Sequence, residues 1–455
     1  MVIWVSWATV TRRAGISLAI AGLWLGGSAA AQAQDTLGRD SSLLPQLREA
    51  KQRPLPDRLP EKPSVAPVFT IPVEPLGFTA PSVAYLGFRR SMASLDFLDE
   101  NRLLFTFRVP GLMRREGGDG EGTDERQIRA VVVALPDGKV EAEALWTLHD
   151  QVRYLWMLKD GQFLLRDRDI LQQGDAKLEM KPLLQFPGSL FWLELDPTQQ
   201  FMVTNSREPV AATTAKADDR KPSLLPDAGQ ADAKPQDPPR TELVLRVLHR
   251  ESGRVLLVSR VQATVHLPIN SDGYLETLRG NGEQWVLNLN YFGGGSRLLG
   301  RVDSTCSPGL DFVSQQEVLV TGCTKSEGRK LVAMDIAGRL LWQNSTSASV
   351  VWPLLVMGPD GSRLAQETLV ATHAVNALEP LNREDVKGQL IRVFDAADGK
   401  LALEAQASPA LDAGGNVAIS PSGRRVAILN AGAIQVFELP ASHPVANPSG
   451  NQTVH

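Results

Sequence analysis

Short apolar runs alternate with tight polar turns over most of the chain, from about Ser82 onward. In the commonest unit an apolar strand enters a polar turn and a second apolar strand follows. Residues 154–157, the pair Asp160-Gly161 and residues 163–165 are one example. Asp-Gly and similar pairs supply the positive φ that two-residue hairpin turns require. Because few stretches show the period of an amphipathic helix, the pattern predicts an all-β fold.

This hairpin recurs seven times, beginning near residues 95, 154, 191, 274, 310, 354 and 417. A second hairpin usually follows the first, as at residues 244–258 and 331–342. Two hairpins make a four-stranded antiparallel sheet that cannot bury both faces alone, so successive repeats must stack on one another. The spacing therefore predicts a seven-bladed β-propeller of four-stranded antiparallel blades over residues 81–440.

The repeats are unevenly spaced, and three insertions account for the longest gaps. They lie at residues 117–126, 207–240 and 364–387, and the second, rich in Ala, Asp, Lys and Pro, is expected to be disordered. The fourth repeat is the weakest, because no outermost strand is evident after Leu298-Leu299.

The last repeat also lacks an evident outer strand, because residues 434–437 lead into a proline-containing end of the chain. An open seam would leave a strand edge exposed. We expect the N-terminal segment Val83-Ala84-Tyr85-Leu86 to pair with residues 434–439 and to close the ring.

The N-terminal part of the chain has the pattern of an export signal. Arg12 and Arg13 precede an apolar stretch at residues 14–27, and Ala31-Gln32-Ala33 supplies the small residues of a cleavage site. The apolar stretch is too short for a membrane helix, which needs about 20 residues. We expect cleavage after Ala33 and a periplasmic or secreted protein. The paired arginines leave the twin-arginine route open beside ordinary secretion.

Domain boundaries follow from these patterns. Residues 1–33 are the signal peptide, residues 34–80 form a proline-rich extended tether or surface strap, and residues 441–455 form a flexible tail.

Loss of the leader with its two arginines changes the formal net charge from -4 to -6. A mildly acidic chain without clustered basic charge is not expected to bind nucleic acid. No later stretch is apolar enough to span a membrane.

Cys306 and Cys323 are the two cysteines of the chain. In an oxidising compartment an even cysteine count favours a disulfide. The alternative is two unpaired thiols in neighbouring strands.

One repeat resembles a known family. Residues 333–342 (Ala-Met-Asp-Ile-Ala-Gly-Arg-Leu-Leu-Trp) are similar to the quinoprotein repeat, with a turn one residue shorter, and residues 394–400 are a second copy without Trp. The Gly-His and Trp-Asp pairs of WD repeats are absent. The chain thus resembles WD-type and quinoprotein-like propellers, and also secreted bacterial propellers of unassigned role. The resemblance implies an architecture and carries no activity.

Candidate chemistry is sparse. The six histidines (His149, His249, His266, His373, His443 and His455) have no metal-binding spacing, and neither a Gly-x-Ser-x-Gly elbow nor a phosphate-binding glycine loop occurs. Asp119, Glu121, Asp124 and Glu125 could hold Ca²⁺ but lack the fixed spacing of such loops, which favours a solvated acidic loop. Residues 291–296 form a glycine-rich connection that is either a binding loop or a plain linker.

Tryptophans in or beside the strands are expected to pack between blades, with a quinone platform as the alternative; they are Trp146, Trp156, Trp192, Trp285, Trp342 and Trp352. We therefore predict no catalytic residues, no metal and no cofactor. The favoured function is a monomeric, non-catalytic scaffold that binds an envelope protein or a small ligand. The alternative is a propeller enzyme, either a quinone-dependent oxidoreductase or a metal-dependent lyase or lactonase, with its site at the channel mouth.

Overall fold

The computed structural model describes residues 58–79, 85–86, 92–109, 114–115, 124–149, 153–210, 241–325, 328–346, 354–374, 382–411 and 414–442. The fold is a seven-bladed β-propeller of four-stranded antiparallel blades, as the hairpin pattern predicts. The described part contains only short 3₁₀ turns as helices, at Lys159–Gly161 and Arg383–Asp385. No helix in those residues is long and apolar enough to cross a membrane.

Two short strands precede the first blade, and they are β1 (Phe69–Pro72) and β2 (Tyr85–Leu86). Blade 1 contains β3 (Ser94–Asp99), β4 (Arg102–Arg108), β5 (Arg114–Arg115), β6 (Asp124–Ala134) and β7 (Val140–Leu148). Blade 2 contains β8 (Leu155–Met157), β9 (Phe163–Asp167), β10 (Ile170–Gly174) and β11 (Met180–Gln185). Blade 3 contains β12 (Ser189–Leu195), β13 (Phe201–Pro209), β14 (Thr241–His249) and β15 (Val255–Val261).

The remaining blades follow in chain order. Blade 4 contains β16 (Gly273–Arg279), β17 (Gln284–Tyr291) and β18 (Ser296–Asp303). Blade 5 contains β19 (Gly309–Phe312), β20 (Glu317–Cys323), β21 (Arg329–Asp335) and β22 (Leu340–Thr346). Blade 6 contains β23 (Leu354–Met357), β24 (Arg363–Ala371), β25 (Val386–Asp395) and β26 (Leu401–Ala407). After β27 (Ala410–Leu411), blade 7 contains β28 (Val417–Ile419), β29 (Arg425–Asn430) and β30 (Ala433–Glu438), with β1 as its fourth strand.

The hydrophobic core lies between neighbouring blades. Trp156 and Leu164 of blade 2, for example, belong to the same buried cluster as Leu193 and Met202 of blade 3. Similar clusters join the other neighbouring blades, including blade 7 with blade 1. Each sheet is one layer thick, so its two faces are buried only because a blade stands on either side.

Blade 4 departs from the predicted strand assignment. Residues 265–269 hold the innermost position without forming a regular strand: Ile269 makes an isolated bridge to Tyr274, and Leu275 N donates to Pro268 O at 2.9 Å. The hairpin of residues 274–287 is therefore the second and third strands of the blade, and its interpretation as the inner hairpin is wrong. The innermost segment of blade 4 is irregular because Pro268 has no backbone N–H to donate to a ladder.

The outer strand of blade 7 is β1. Phe69 lies opposite Val436 and Ile71 opposite Ile434 in an antiparallel ladder. The prediction that residues 83–86 would pair with residues 434–439 is wrong, because Tyr85 and Leu86 instead pair in parallel with β27. The predicted start of the propeller at residue 81 is consequently too late.

The segment before β1 lies on the outside of blade 6. Ser64 N donates to Glu404 O at 2.8 Å, and Glu404 N donates to Ser64 Oγ at 2.8 Å. Leu59 contacts the backbone of Gly388. This part of the proline-rich region is a surface strap, one of the two alternatives that its composition allows. The predicted signal peptide and residues 34–57 lie outside the described residues.

The strand ends that the long connections join lie on one face of the ring. In an antiparallel blade the links between second and third strands, and the links from one blade to the next, share the end where the innermost strands begin. Residues 110–123, 210–240 and 372–385 are links of the first kind, in blades 1, 3 and 6. The first turn of each blade, such as residues 358–362, lies on the opposite face. We call the first of these faces the loop face.

Candidate functional site

Six charged side chains, one from each of blades 1 to 6, approach one another at the inner edge of the ring. We call them the axial cluster: Asp96, Arg153, Glu194, His266, Asp311 and Glu367. Asp96 and Asp311 are each the third residue of the innermost strand of their blade, β3 and β19. Glu194 lies near the end of β12, and Arg153 lies two residues before the start of β8. The propeller thus gathers residues that lie far apart in the sequence.

His266 is held between two carboxylates. Its Nδ1 lies 2.9 Å from Glu194 Oε2, and its Nε2 lies 3.6 Å from Asp311 Oδ1. Nε2 is also 2.8 Å from the carbonyl oxygen of Leu310. Burial lowers the pKa of His266, but the charge of Glu194 and the hydrogen bonds to Asp311 and Glu194 outweigh it, so the pKa lies well above its ordinary value. The imidazole is therefore a cation at neutral pH.

The backbone beside His266 is fixed by blade 3. Asn205, a buried residue of β13, donates from Nδ2 to Val265 O at 3.0 Å and accepts from Val265 N at 3.2 Å. The amide side chain thus replaces the missing ladder of the irregular segment. Trp192 of β12 makes an edge-on contact with the His266 ring, with centroids 6.2 Å apart. Blade 3 therefore positions the histidine from two sides.

Arg153 is the second cation of the axial cluster. Its guanidinium lies over the Trp156 ring, 5.4 Å from the centroid, and its Nε donates to Leu155 O at 3.1 Å. The charges of Asp96, Glu367 and Glu194 all act on it, although burial lowers its pKa. The residue nevertheless keeps an exposed surface. Solvent therefore reaches this side chain of the axial cluster.

Glu367 of β24 is the member of the axial cluster that blade 6 contributes. It is 2% exposed, and burial raises its pKa to about 8. Gln389 donates from Nε2 to Glu367 Oε2 at 3.1 Å, and Asn416 donates to Gln389 Oε1 at 2.6 Å. The backbone N–H of Gly415 also donates to Glu367. Glu367 therefore remains largely protonated at pH 7 within a hydrogen-bonded network.

Carboxyl groups outnumber cations in the axial cluster. Burial raises the pKa of both Asp96 and Asp311, even though Ser94 and Arg153 oppose the shift at Asp96 and His266 opposes it at Asp311. The cations of the cluster thus compensate only part of the cost of burying the carboxylates. A further positive charge in this space would stabilise their ionised forms. The site is suited to a cationic ligand.

The residues singled out from sequence are dispersed. His149 follows the last strand of blade 1, and its Nδ1 lies 2.9 Å from Asp167 Oδ2 of blade 2. His249 contacts the Ser252 hydroxyl in a turn of blade 3. Trp146, Trp156 and Trp342 are buried between blades, in keeping with the core-packing interpretation, and Trp192 and Trp285 are half-buried. Residues 291–296 include a tight turn of blade 4 on the face opposite the loop face. Asp119, Glu121, His443, His455 and Trp352 lie outside the described residues, as does the Asp124 side chain.

The sulfurs of Cys306 and Cys323 lie 2.09 Å apart, at disulfide distance. Cys306 belongs to the connection from blade 4 to blade 5, and Cys323 ends β20. The bond joins this connection to the blade that follows it.

Sequence reasoning missed five members of the axial cluster and interpreted His266 as a plain loop or strand residue. Their spacing carries no metal or catalytic motif, because each comes from a different blade. A usable signal is an acidic residue between two apolar neighbours in an inner strand, as at Asp96, Glu194 and Asp311. A carboxylate buried between blades would cost free energy, whereas at the ring axis it can meet solvent or an opposite charge.

Comparisons with known proteins give distant structural matches. A Pyrococcus horikoshii acylaminoacyl peptidase is 12% identical, with a TM-score of 0.43, over 78% of this chain and 52% of that chain. A chain of the mitotic checkpoint complex is 11% identical, with a TM-score of 0.40, over 88% of this chain and 99% of that one. The propeller domain of the Trilobed protease from Pyrococcus furiosus is 10% identical, with a TM-score of 0.41, over 79% and 98%.

The chain spans about half the length of the peptidase. No family model matches this sequence, and no curated protein matches it. These comparisons therefore assign no role to the axial cluster, which is inferred from the residues of this chain.

Proposed function

We propose that this protein is a non-catalytic binding propeller of the cell envelope, whose ligand carries a positive charge. The observation that carries the proposal is the axial cluster, in which the carboxyl groups of Asp96, Glu194 and Asp311 meet only two cations, while Glu367 is protonated. The pattern of residues 1–33 supports export. A protein partner would contact the strand ends of the loop face, where the three long connections begin and end. The ligand's charged group would enter the ring axis from the loop face.

The proposal is tested by site-specific photo-crosslinking in cells. A photoreactive residue is placed at His373, an exposed position beside the loop-face connection of blade 6, or at Glu251, an exposed turn residue on the opposite face. We expect a discrete adduct from position 373 and none from position 251. The adduct should disappear when Glu194→Gln and Asp311→Asn are combined, because these changes remove negative charge from the axis.

Export is measured in the same cells. Fractionation and the mass of the purified chain should show a mature N-terminus after Ala33 in the envelope fraction. Equal adducts from both faces, or an adduct that survives the double substitution, would contradict binding at the axis. A chain that keeps its leader and remains in the cytoplasm would contradict the envelope role alone.

A metal-dependent enzyme is the second candidate function. It is favoured by the approach of Glu194, His266 and Asp311, whose ligand atoms all lie within 4.8 Å of one another. The quinone-dependent alternative gains no such support, since Trp342, which carries the resemblance to quinoproteins, packs against blade 6. Turnover of a lactone by the Zn²⁺-loaded protein, lost in Asp311→Asn, would favour the enzyme over the scaffold.

A further inference from the structure

We propose that Glu194, His266 and Asp311 form a binding site for a divalent transition metal ion, which the Zn²⁺ ion represents. The three residues come from the innermost positions of blades 3, 4 and 5. One ligand atom of each lies within 4.8 Å of the other two. Ligand atoms around a four-coordinate zinc ion lie roughly 3.4 Å apart, from metal–ligand distances of about 2.1 Å. Side-chain rotations that shorten these separations by up to about 1.4 Å would bring the three groups to that spacing.

The carboxylate ligands are carried on paired strands. Glu194 lies opposite Val203 in the β12–β13 ladder, and Asp311 lies opposite Leu319 in the β19–β20 ladder. His266 has no ladder, but the Asn205 amide fixes the backbone of the preceding residue by two hydrogen bonds. All three backbones are therefore held in place before a metal ion arrives, which limits the entropy lost on binding.

The surroundings of His266 match those of a metal ligand. Nε2 lies 2.8 Å from the carbonyl oxygen of Leu310, so an N–H at this position donates to the backbone. This is the second contact that metal-bound imidazoles usually make, because it fixes the tautomer and the ring orientation. Nδ1 then faces Glu194 Oε2 at 2.9 Å. The metal ion would take the place of the Nδ1 proton in this contact, and that proton would be released to solvent.

Donor chemistry and charge select the class of metal. One imidazole nitrogen and two carboxylates suit Zn²⁺, Mn²⁺ or Co²⁺, whereas Ca²⁺ prefers a full set of oxygen ligands. The two carboxylates can neutralise a doubly charged ion. Arg153 opposes binding through its charge interaction with Glu194, although Asp96 and Glu367 also act on that guanidinium. The expected affinity is accordingly moderate.

Solvent access leaves room for a further ligand on the ion. The side chains of Glu194, His266 and Asp311 are 20%, 23% and 34% exposed. Three protein ligands with one side open to water are typical of metal sites that also bind a water molecule or a substrate group. The site would thus present a metal ion to molecules entering the ring axis.

Metal binding is measured by calorimetry on the full mature chain, without an oligohistidine tag and after treatment with a chelator. We expect one Zn²⁺ per chain and weaker binding of Ca²⁺. His266→Gln and Asp311→Asn should each lower the Zn²⁺ affinity at least tenfold. The matched control is His149→Gln, since His149 also contacts two carboxylates, Asp167 at 2.9 Å and Glu125 at 3.7 Å, outside the axial cluster.

Co²⁺ provides a second readout that needs no variant of the ligands. Bound Co²⁺ should give visible absorption bands and should quench the fluorescence of Trp192, whose ring adjoins His266. Trp192→Phe should remove most of that quenching and keep the bands. The proposal is overturned if wild-type protein shows neither stoichiometric Zn²⁺ binding nor Co²⁺ bands, or if His266→Gln and Asp311→Asn bind Zn²⁺ as tightly as wild type. These measurements use only purified protein, so they are independent of the partner proposed above.

Discussion

The indole N–H of Trp342 in blade 5 donates to the carbonyl oxygen of Ala396 in blade 6, at 2.6 Å. The same ring lies against Gly399, where an added Cβ would come within 2.5 Å of the indole. Gly399 has φ +69°, a backbone conformation that favours glycine. One side chain thus joins two neighbouring blades through both a hydrogen bond and a close contact.

Gly399→Ala should therefore destabilise the protein by about 2–4 kcal/mol in urea unfolding, because it adds overlap with Trp342 to the cost of the backbone conformation. Gly282→Ala is the control, since Gly282 has φ +65° and nothing within 4 Å of an added Cβ. That change should cost about 1 kcal/mol. Equal losses for the two variants would show that the Trp342 contact contributes nothing.

Ile71→Ala tests the strand that completes blade 7. Ile71 is 3% exposed and belongs to the core cluster shared by blades 7 and 1, so its truncation should cost about 2–4 kcal/mol in urea unfolding. Val68→Ala, at a neighbouring residue that is 52% exposed, should change stability by less than about 0.5 kcal/mol. A stability loss no larger than that of the control would mean that β1 is dispensable for the last blade.

Glu367 should make stability fall as pH rises. Its pKa is about 8 in the folded chain against an ordinary 4.5, so the unfolded chain releases the proton first. The contribution is complete below about pH 4.5 and is lost as pH rises through 8, a change of roughly 3–6 kcal/mol. Glu367→Gln cannot ionise, and its free energy of unfolding relative to wild type should increase over this range.

The pH measurement has its own control. Glu251→Gln alters an exposed carboxyl on the opposite face, and its curve should run parallel to that of wild type. If the curve of Glu367→Gln also runs parallel to wild type, Glu367 is ionised in the folded protein and its assigned pKa is wrong.

Reduction of the Cys306–Cys323 bond should lower stability by about 3 kcal/mol, because the bond closes a loop between residues 17 apart. Urea unfolding with and without a reductant measures the difference. The double variant Cys306→Ala with Cys323→Ala should have the stability of the reduced protein and should not respond to the reductant. A reductant effect that persists in this variant would point to a cause other than the bond.

Hairpins are local features, which is why the sequence by itself determined the all-β class and the count of seven blades. An apolar strand, a turn with positive φ and a second apolar strand are neighbours in the chain, as in residues 154–165. The cysteine pair could likewise be inferred, from the even cysteine count and the expected oxidising compartment. Strand order within blade 4 could not be inferred, because Pro268 has no backbone donor for the ladder that the pattern assumes and the Asn205 side chain takes the place of that ladder.

Only the tertiary structure decided which segment completes blade 7 and where the charged residues meet. Residues 69–72 and residues 85–86 both form short strands, and the choice of the strand that completes blade 7 depends on the core into which Ile71 fits. Asp96, Glu194, His266 and Asp311 come together because the ring brings its innermost strands to a common axis. No local pattern records that proximity, since it depends on how the sheets pack on one another.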